Sequence, residues 1–192
     1  MDMQSYTLLF SFLRQKGFML PFINDPNSIS DYLRACSSEY FTDGIYSLSS
    51  IPACSVDYCF SNAVLEHVPR QHFSLIVNEL YRIVKSNGVC VHRVDLKDHL
   101  GGGLNHLRFK QPIWESHLFT KSGFYTNRIR FKEMLNIFRD AGFIYTLPRV
   151  LRWDYLPLKR AAMIDEFSQL TNDNLLVSGF DVVLRKAQVG IF

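Results

Sequence analysis

The stretch that most constrains how this chain can fold is VDYCFSNAVLEHVP, residues 56–69. Val56, Tyr58, Cys59 and Phe60 suit a strand buried on both faces, as in a parallel sheet, and Ser61, Asn62 and Ala63 then end it with side chains too small to fill a pocket. Such a change from β-branched and aromatic residues to small, polar and ionisable ones places chemistry at a strand's carboxyl end, where open α/β sheets bind ligands. Taken alone, the strand is equally well read as a core strand followed by an ordinary turn. Downstream, Phe73, Ile76, Val77, Leu80, Ile83 and Val84 form one apolar stripe, which predicts a helix from about Arg70 to Ser86. Asn87 and Gly88 would stop it, because both tolerate the left-handed conformation of a helix end. Val89 to Leu96 reads as a second strand. A strand, a crossover helix and a strand imply a parallel, right-handed pair with both tips at one edge of the sheet.

These residues carry a resemblance. SVDYCFSNAVLEHVP, followed by ELYRIVKSNGVCVHRVDL, resembles the middle of a class I S-adenosylmethionine-dependent methyltransferase: the fourth strand, its LEHV corner, the helix and the fifth strand. TNRIRFKEMLNIFRDAGF and SGFDVVLRK resemble, more loosely, the last helix and the antiparallel closing strand of that fold. The resemblance implies an α/β, doubly wound, mostly parallel Rossmann-like sheet with an antiparallel last strand, and S-adenosyl-L-methionine as cofactor. It implies that Ser61, Asn62 and Ala63 line the cofactor and substrate side, and that Ser47 and Leu48, after a preceding strand, approach the adenine.

The family holds its cofactor with a glycine-rich turn after the first strand, where only glycine lets the backbone approach the ligand closely. Here Gly101 to Gly103 is the sole glycine cluster, and it follows the fifth strand. The expectation is therefore a partial methyltransferase domain whose first strands are missing. Its Val56–Phe60 strand would present an unpaired apolar edge, and its hold on the cofactor would be weak.

At 192 residues and 47% hydrophobic the chain can bury a sizeable core, and a single domain is the natural reading. A net charge of +3, with scattered basic residues, gives no footprint for nucleic acid. The apolar run Thr7–Leu13 is too short to cross a bilayer and has no basic leader, so no membrane partner and a cytoplasmic location are expected. Cys36, Cys54, Cys59 and Cys90 lack metal-ligand spacing along the chain and read as buried thiols, with no metal expected. Helices are expected at about Ser5–Lys16, with Leu8, Leu9, Phe12 and Leu13 as its apolar stripe, and at Ser28–Ala35, capped by Asn27 or Ser28 with Ile29, Tyr32 and Leu33 facing inward. A weak strand follows at Tyr40–Leu48, with later helices ending at Gly142 and spanning about Leu158–Leu170, and strands at Phe143–Leu151 and Phe180–Arg185. The glycine- and aromatic-rich segment at about 97–125 reads as an insertion or lid beside the strand tip.

Methyl transfer to a hydroxyl or amine needs a proton acceptor. The candidates at the strand tips are His67, His92 and Asp95, with His92 and Asp95 as a possible oriented pair and Arg93 facing away. In the bland reading, Glu66 and His67 brace the corner. Asn105, Arg108, Trp114, Tyr125, Asn127, Arg128 and Arg130 offer groups to hold a small-molecule substrate, one with a carboxylate, phosphate or sugar hydroxyls, or else serve as loop anchors. Two other functions fit the pattern less fully. One is a non-catalytic Rossmann-like domain that binds a partner. The other is a metal hydrolase on His92, Asp95, His99 and His106, whose spacing matches no metal motif.

Overall fold

The computed structural model describes residues 3–21, 23 and 28–187, within two compact units, Met1–Ser47 and Leu48–Phe192. In the first unit, helices α1 (Met3–Gln15) and α2 (Ile29–Ala35) meet around Tyr32. Tyr32 stacks on Tyr6, meets Phe10 edge-on and shares a 2.9 Å hydrogen bond with Thr7. Ser28 caps α2 through a reciprocal bond with Asp31, and Asn27 lies outside the described residues. The expected α1 stripe points the other way: Leu8, Leu9 and Phe12 are exposed. Of the α2 positions expected to face inward only Tyr32 is buried, because its ring alone reaches α1.

Tyr40–Leu48 forms no strand; its end winds into α3 (Ile45–Ser50), so Ser47 and Leu48 do not sit at a strand tip. Ser47 Oγ accepts the Asp43 N–H, and Leu48 packs against the core of the second unit.

That core is built on a four-stranded sheet of β1 (Val56–Asn62), β2 (Val84–Asp95), β3 (Phe143–Arg152) and β4 (Val177–Lys186), in the order β1-β2-β4-β3. β1 and β2 are neighbours and parallel, while β4 runs antiparallel to both β2 and β3. Three strands thus share one direction and the last is reversed, as expected. Helices α4 (Arg70–Ile83) and α7 (Phe131–Asp140) lay Phe73, Val77, Leu80, Met134 and Phe138 against Cys90, Val94, Phe180, Val182 and Leu184 on one face of the sheet. Burial of this stripe by the sheet supplies the main apolar driving force.

The opposite face is open. Tyr58 and Phe60 are 56% and 72% exposed, so β1 is not covered on both faces as its composition suggested. Arg93 faces this side as expected, and both it and Arg149 bond the Asp181 carboxylate at 3.0 Å, a charged ladder across three strands. Within the described sheet β1 is also an edge strand.

Gly88 has a different role from a helix stop. α4 already ends at Ile83, and β2 bulges between the Val56↔Val84 and Tyr58↔Val89 pairings. A Cβ on Gly88 would lie 2.9 Å from the Val56 carbonyl and from Val84 Cγ1. Gly88→Ala is therefore expected to lower stability by about 2 kcal/mol, read as an earlier urea midpoint with unchanged slope.

The 97–125 segment folds into two short helices, α5 (Gln111–Trp114) and α6 (His117–Thr120), preceded by a 3₁₀ turn at Asn105–Arg108. Leu104 and Leu107 seat it on a small second core with Leu158, Met163, Phe167 and Leu175. The helix expected at Leu158–Leu170 is broken into a 3₁₀ turn at Arg160–Ala162 and helix α8 (Asp165–Ser168), followed by α9 (Asn172–Leu175). Of the four cysteines, Cys36 and Cys54 are exposed and only Cys90 is fully buried. Among the described residues no helix is long and apolar enough to cross a membrane.

Candidate functional site

The tips of β1 and β2 lie side by side because Ser61 pairs with His92 and Asn62 with Arg93. Beyond them Ala63 takes a left-handed φ of 53°, held by its N–H bond to the Arg93 carbonyl at 3.0 Å. A non-glycine residue in that region is strained, and such residues collect where a site needs its backbone fixed. Asn62 is exposed and, with Ser61, borders a 340 Å³ cleft over the open sheet face.

The chain then turns through a 3₁₀ segment, Leu65–His67. Asn127 locks this corner. Its amide donates to the Leu65 and Val68 carbonyls at 2.8 and 2.9 Å, and its N–H donates to the Glu66 carbonyl at 2.7 Å. The corner leaves Glu66 only 2% exposed, with neither carboxylate oxygen hydrogen-bonded. Burial pushes its pKa up to about 7, outweighing the lowering pull of the nearby Glu66 and Asp95 backbone N–H groups, with the negative charge of Asp95 adding to the rise. Glu66 shares a cavity of about 10 Å³, room for about one water, with Asp95, His106, Thr126, Arg128 and Arg130. Thr126 Oγ1 and the Nε atoms of Arg128 and Arg130 are likewise buried without partners, and His106 Nδ1 lies 3.6 Å from the Asp98 carboxylate. So many unmet polar groups around one small space mark where a polar ligand or water belongs.

The three candidate proton acceptors separate. His67 donates from Nδ1 to the Tyr125 carbonyl at 2.8 Å, which leaves Nε2 with its lone pair, and its ring meets His99 at 4.9 Å. His92 points to the core side, its Nδ1 tied to Ser61 Oγ at 2.8 Å, and burial pulls its pKa down to about 4. Asp95 falls on the opposite face of β2 from His92, since side chains alternate, and it accepts the Lys97 N–H at 2.9 Å. The expected His92–Asp95 pair therefore does not form.

The candidate substrate residues mostly hold the scaffold. Trp114 is fully buried and donates to the Thr126 carbonyl at 2.7 Å. Tyr125 donates to Glu115 at 2.8 Å. Arg128, at a left-handed φ of 57°, donates to the Phe109 carbonyl at 2.6 Å and to Gln111. Arg130 is 1% exposed and donates to the Leu96, Leu175 and Val177 carbonyls. Asn105 and Arg108 bond each other at the surface.

The glycine cluster is also accounted for. Gly101 and Gly102 adopt positive φ, and the loop wraps the Asp98 carboxylate with the N–H groups of Leu100, Gly103 and Asn105. Burial alone would raise the Asp98 pKa, but the His106 ring and these N–H groups outweigh it and hold it at about 2. The nest is filled by the chain's own carboxylate.

A groove of about 640 Å³ opens at the start of α4. Pro69, Arg70 and His72 form one side, and Gln111, His117 and Lys121 of the 97–125 segment form the other. Its size suits a small molecule, and no spacing in the sequence announces it, because its two walls are some forty residues apart along the chain.

The family model described as methyltransferase domain matches residues 29–92. No curated protein matches the sequence significantly. Among solved structures, the chain is similar to a SAM-dependent methyltransferase from Methanosarcina mazei, with 17% identity, 85% of this chain and 79% of that one covered, and a TM-score of 0.52. It is also similar to a SAM-dependent methyltransferase from Archaeoglobus fulgidus (13% identity, 92% and 79% covered, TM-score 0.41). A third likeness is to a SAM-dependent methyltransferase, possible histamine N-methyltransferase, from Thermotoga maritima (17% identity, 81% and 67% covered, TM-score 0.41).

Proposed function

We propose, for a chain whose fold is that of the class I S-adenosylmethionine-dependent methyltransferases, that it serves methyl transfer to a small-molecule acceptor, with a weak hold on the cofactor by the described residues alone. The observation that carries this reading is the pair of adjacent parallel strand tips, where Ser61, Asn62 and a strained Ala63 meet Arg93 at the carboxyl edge of the sheet. The cofactor would bring a methyl group on a sulfonium, which transfers by displacement.

The residues present do not complete a cradle for that cofactor. The only glycine cluster turns its N–H groups onto Asp98, and Ser61 is engaged with His92. Asn62 and the Ala63 backbone are the groups left at the tip. What the chain does supply is the acceptor side. His67 Nε2 is the ring nitrogen placed to take a proton, because Tyr125 fixes the tautomer through Nδ1. The groove at α4 carries His72, His117 and Lys121 beside Glu115 and an Arg70 that is ion-paired with Glu133 at 2.6 Å, a polar lining that favours an acceptor with hydrogen-bonding groups.

Titration calorimetry of the full chain with S-adenosylmethionine is expected to give a dissociation constant on the order of millimolar or weaker. Micromolar affinity would overturn the weak-cofactor reading. Backbone NMR with S-adenosylhomocysteine is expected to shift Ser61–Ala63. Unmoved signals there with ligand well above its dissociation constant, or at the limit of its solubility, would favour the alternative, a non-catalytic Rossmann-like domain that binds a partner.

A further inference from the structure

We propose that Cys59, Cys90 and His92 form a binding site for one thiophilic d¹⁰ cation, zinc or copper(I), on the core side of the β1/β2 pair. The two Sγ atoms and a ring nitrogen of His92 all lie within 4.8 Å of one another, the scale on which one cation is shared by three donors. The register creates the cluster. Cys59 is directly opposite Cys90, and His92, two residues further along, points to the same face.

A second, independent observation concerns His92. The ring is 1% exposed, its Nδ1 is held by Ser61 Oγ at 2.8 Å, and Nε2 is buried with no partner. A ligating histidine is commonly fixed in this way, one nitrogen held by an outer hydroxyl, carboxylate or carbonyl and the other left for the metal. Thiolate and imidazole donors together select soft or borderline cations over magnesium or calcium. Cys59 is only partly buried and gives the entry path. On binding, each thiol gives its proton to solvent as its sulfur bonds the cation, with no change of oxidation state. Along the chain these residues show no metal motif; the site exists only because two parallel strands pair in this register. It stands apart from the methyl-transfer proposal and does not depend on it.

The test uses the full chain, purified under reducing conditions, stripped of metal and dialysed against Zn²⁺ or Cu⁺ alone, with elemental analysis. One cation per chain is expected for at least one of the two metals, and equally in Cys36→Ser and Cys54→Ser, whose thiols are exposed elsewhere. Cys59→Ser is expected to abolish stoichiometric retention, and Ser61→Ala to weaken affinity about tenfold. With Co²⁺ the wild type should show sulfur-to-metal charge-transfer absorption that Cys59→Ser lacks. Failure of the wild type to retain either cation, or retention unchanged in Cys59→Ser, would overturn the site. Should Cys59→Ser not fold, alkylation of the wild type decides: saturating cation is expected to protect Cys59 from iodoacetamide, and unaltered labelling refutes the proposal.

Discussion

Glu66→Gln is expected to stabilise the folded protein above neutral pH and to abolish much of its pH dependence between about pH 4.5 and 7. The folded pKa of Glu66 is raised to about 7 by burial, against an ordinary value of 4.5. Below pH 4.5 the carboxyl is protonated in both states and imposes no penalty. As pH rises toward 7 the unfolded chain releases its proton first, so stability falls, and the loss levels off once the folded carboxyl has also ionised. A shift of this size corresponds to about 3 kcal/mol, and the 2% exposure of Glu66 leaves little solvent screening to reduce it. Glutamine keeps the shape and removes the titration. Urea unfolding at pH 5, 6, 7 and 8 should therefore give stabilities for wild type and Glu66→Gln that diverge as pH rises toward 7 and then level off. Parallel curves across that range would show that the carboxyl does not carry this penalty.

Arg130→Met is expected to cost about 3–5 kcal/mol. The guanidinium is buried and donates to three carbonyls at the end of β2, the end of α9 and the start of β4, at 2.7, 3.1 and 2.7 Å. Among the described residues no carboxylate forms a salt bridge with it, so carbonyl dipoles alone compensate the charge. Burial lowers its pKa to about 10, which still leaves it charged at neutral pH. Arg130→Lys is expected to recover only a small part of the loss, since a point charge cannot reach three carbonyls from one planar fork. Chemical denaturation of both variants measures this directly. A midpoint within experimental error of wild type for Arg130→Met would show that the clamp is dispensable.

Much of the second unit was legible in order and direction. The apolar stripe of α4 survives in the structure as Phe73, Val77, Leu80 and Ile83, and the two strands around it pair in parallel. Local pattern suffices there because a 3.6-residue stripe and a β-branched run each have one way to bury themselves. The first unit read less well. α1 packs the half-buried Tyr6 and Phe10 against Tyr32 and leaves Leu8, Leu9 and Phe12 of its leucine-rich stripe exposed. Tyr40–Leu48 has strand-like composition but no neighbour among the described strands, and without a ladder its end winds into α3.

The site divides along the same line. Ser61, Asn62 and Ala63 could be placed at a tip from sequence because they end an apolar strand. The roles of Glu66, Asn127 and Arg130 could not, because each depends on a partner far along the chain: Asn127 reaches Leu65, and Arg130 reaches Val177. A polar residue's sequence neighbours do not show whether it will be solvated, braced or stranded.

The order of hydrophobic runs, their periods and their punctuation by small residues determined an α/β sheet with two tips at one edge. Strand register and the packing of the 97–125 segment decided which side chains share a space, because both are set by long-range burial and not by local preference. That is why three residues from two strands converge below one tip, and why a carboxyl is buried beside it.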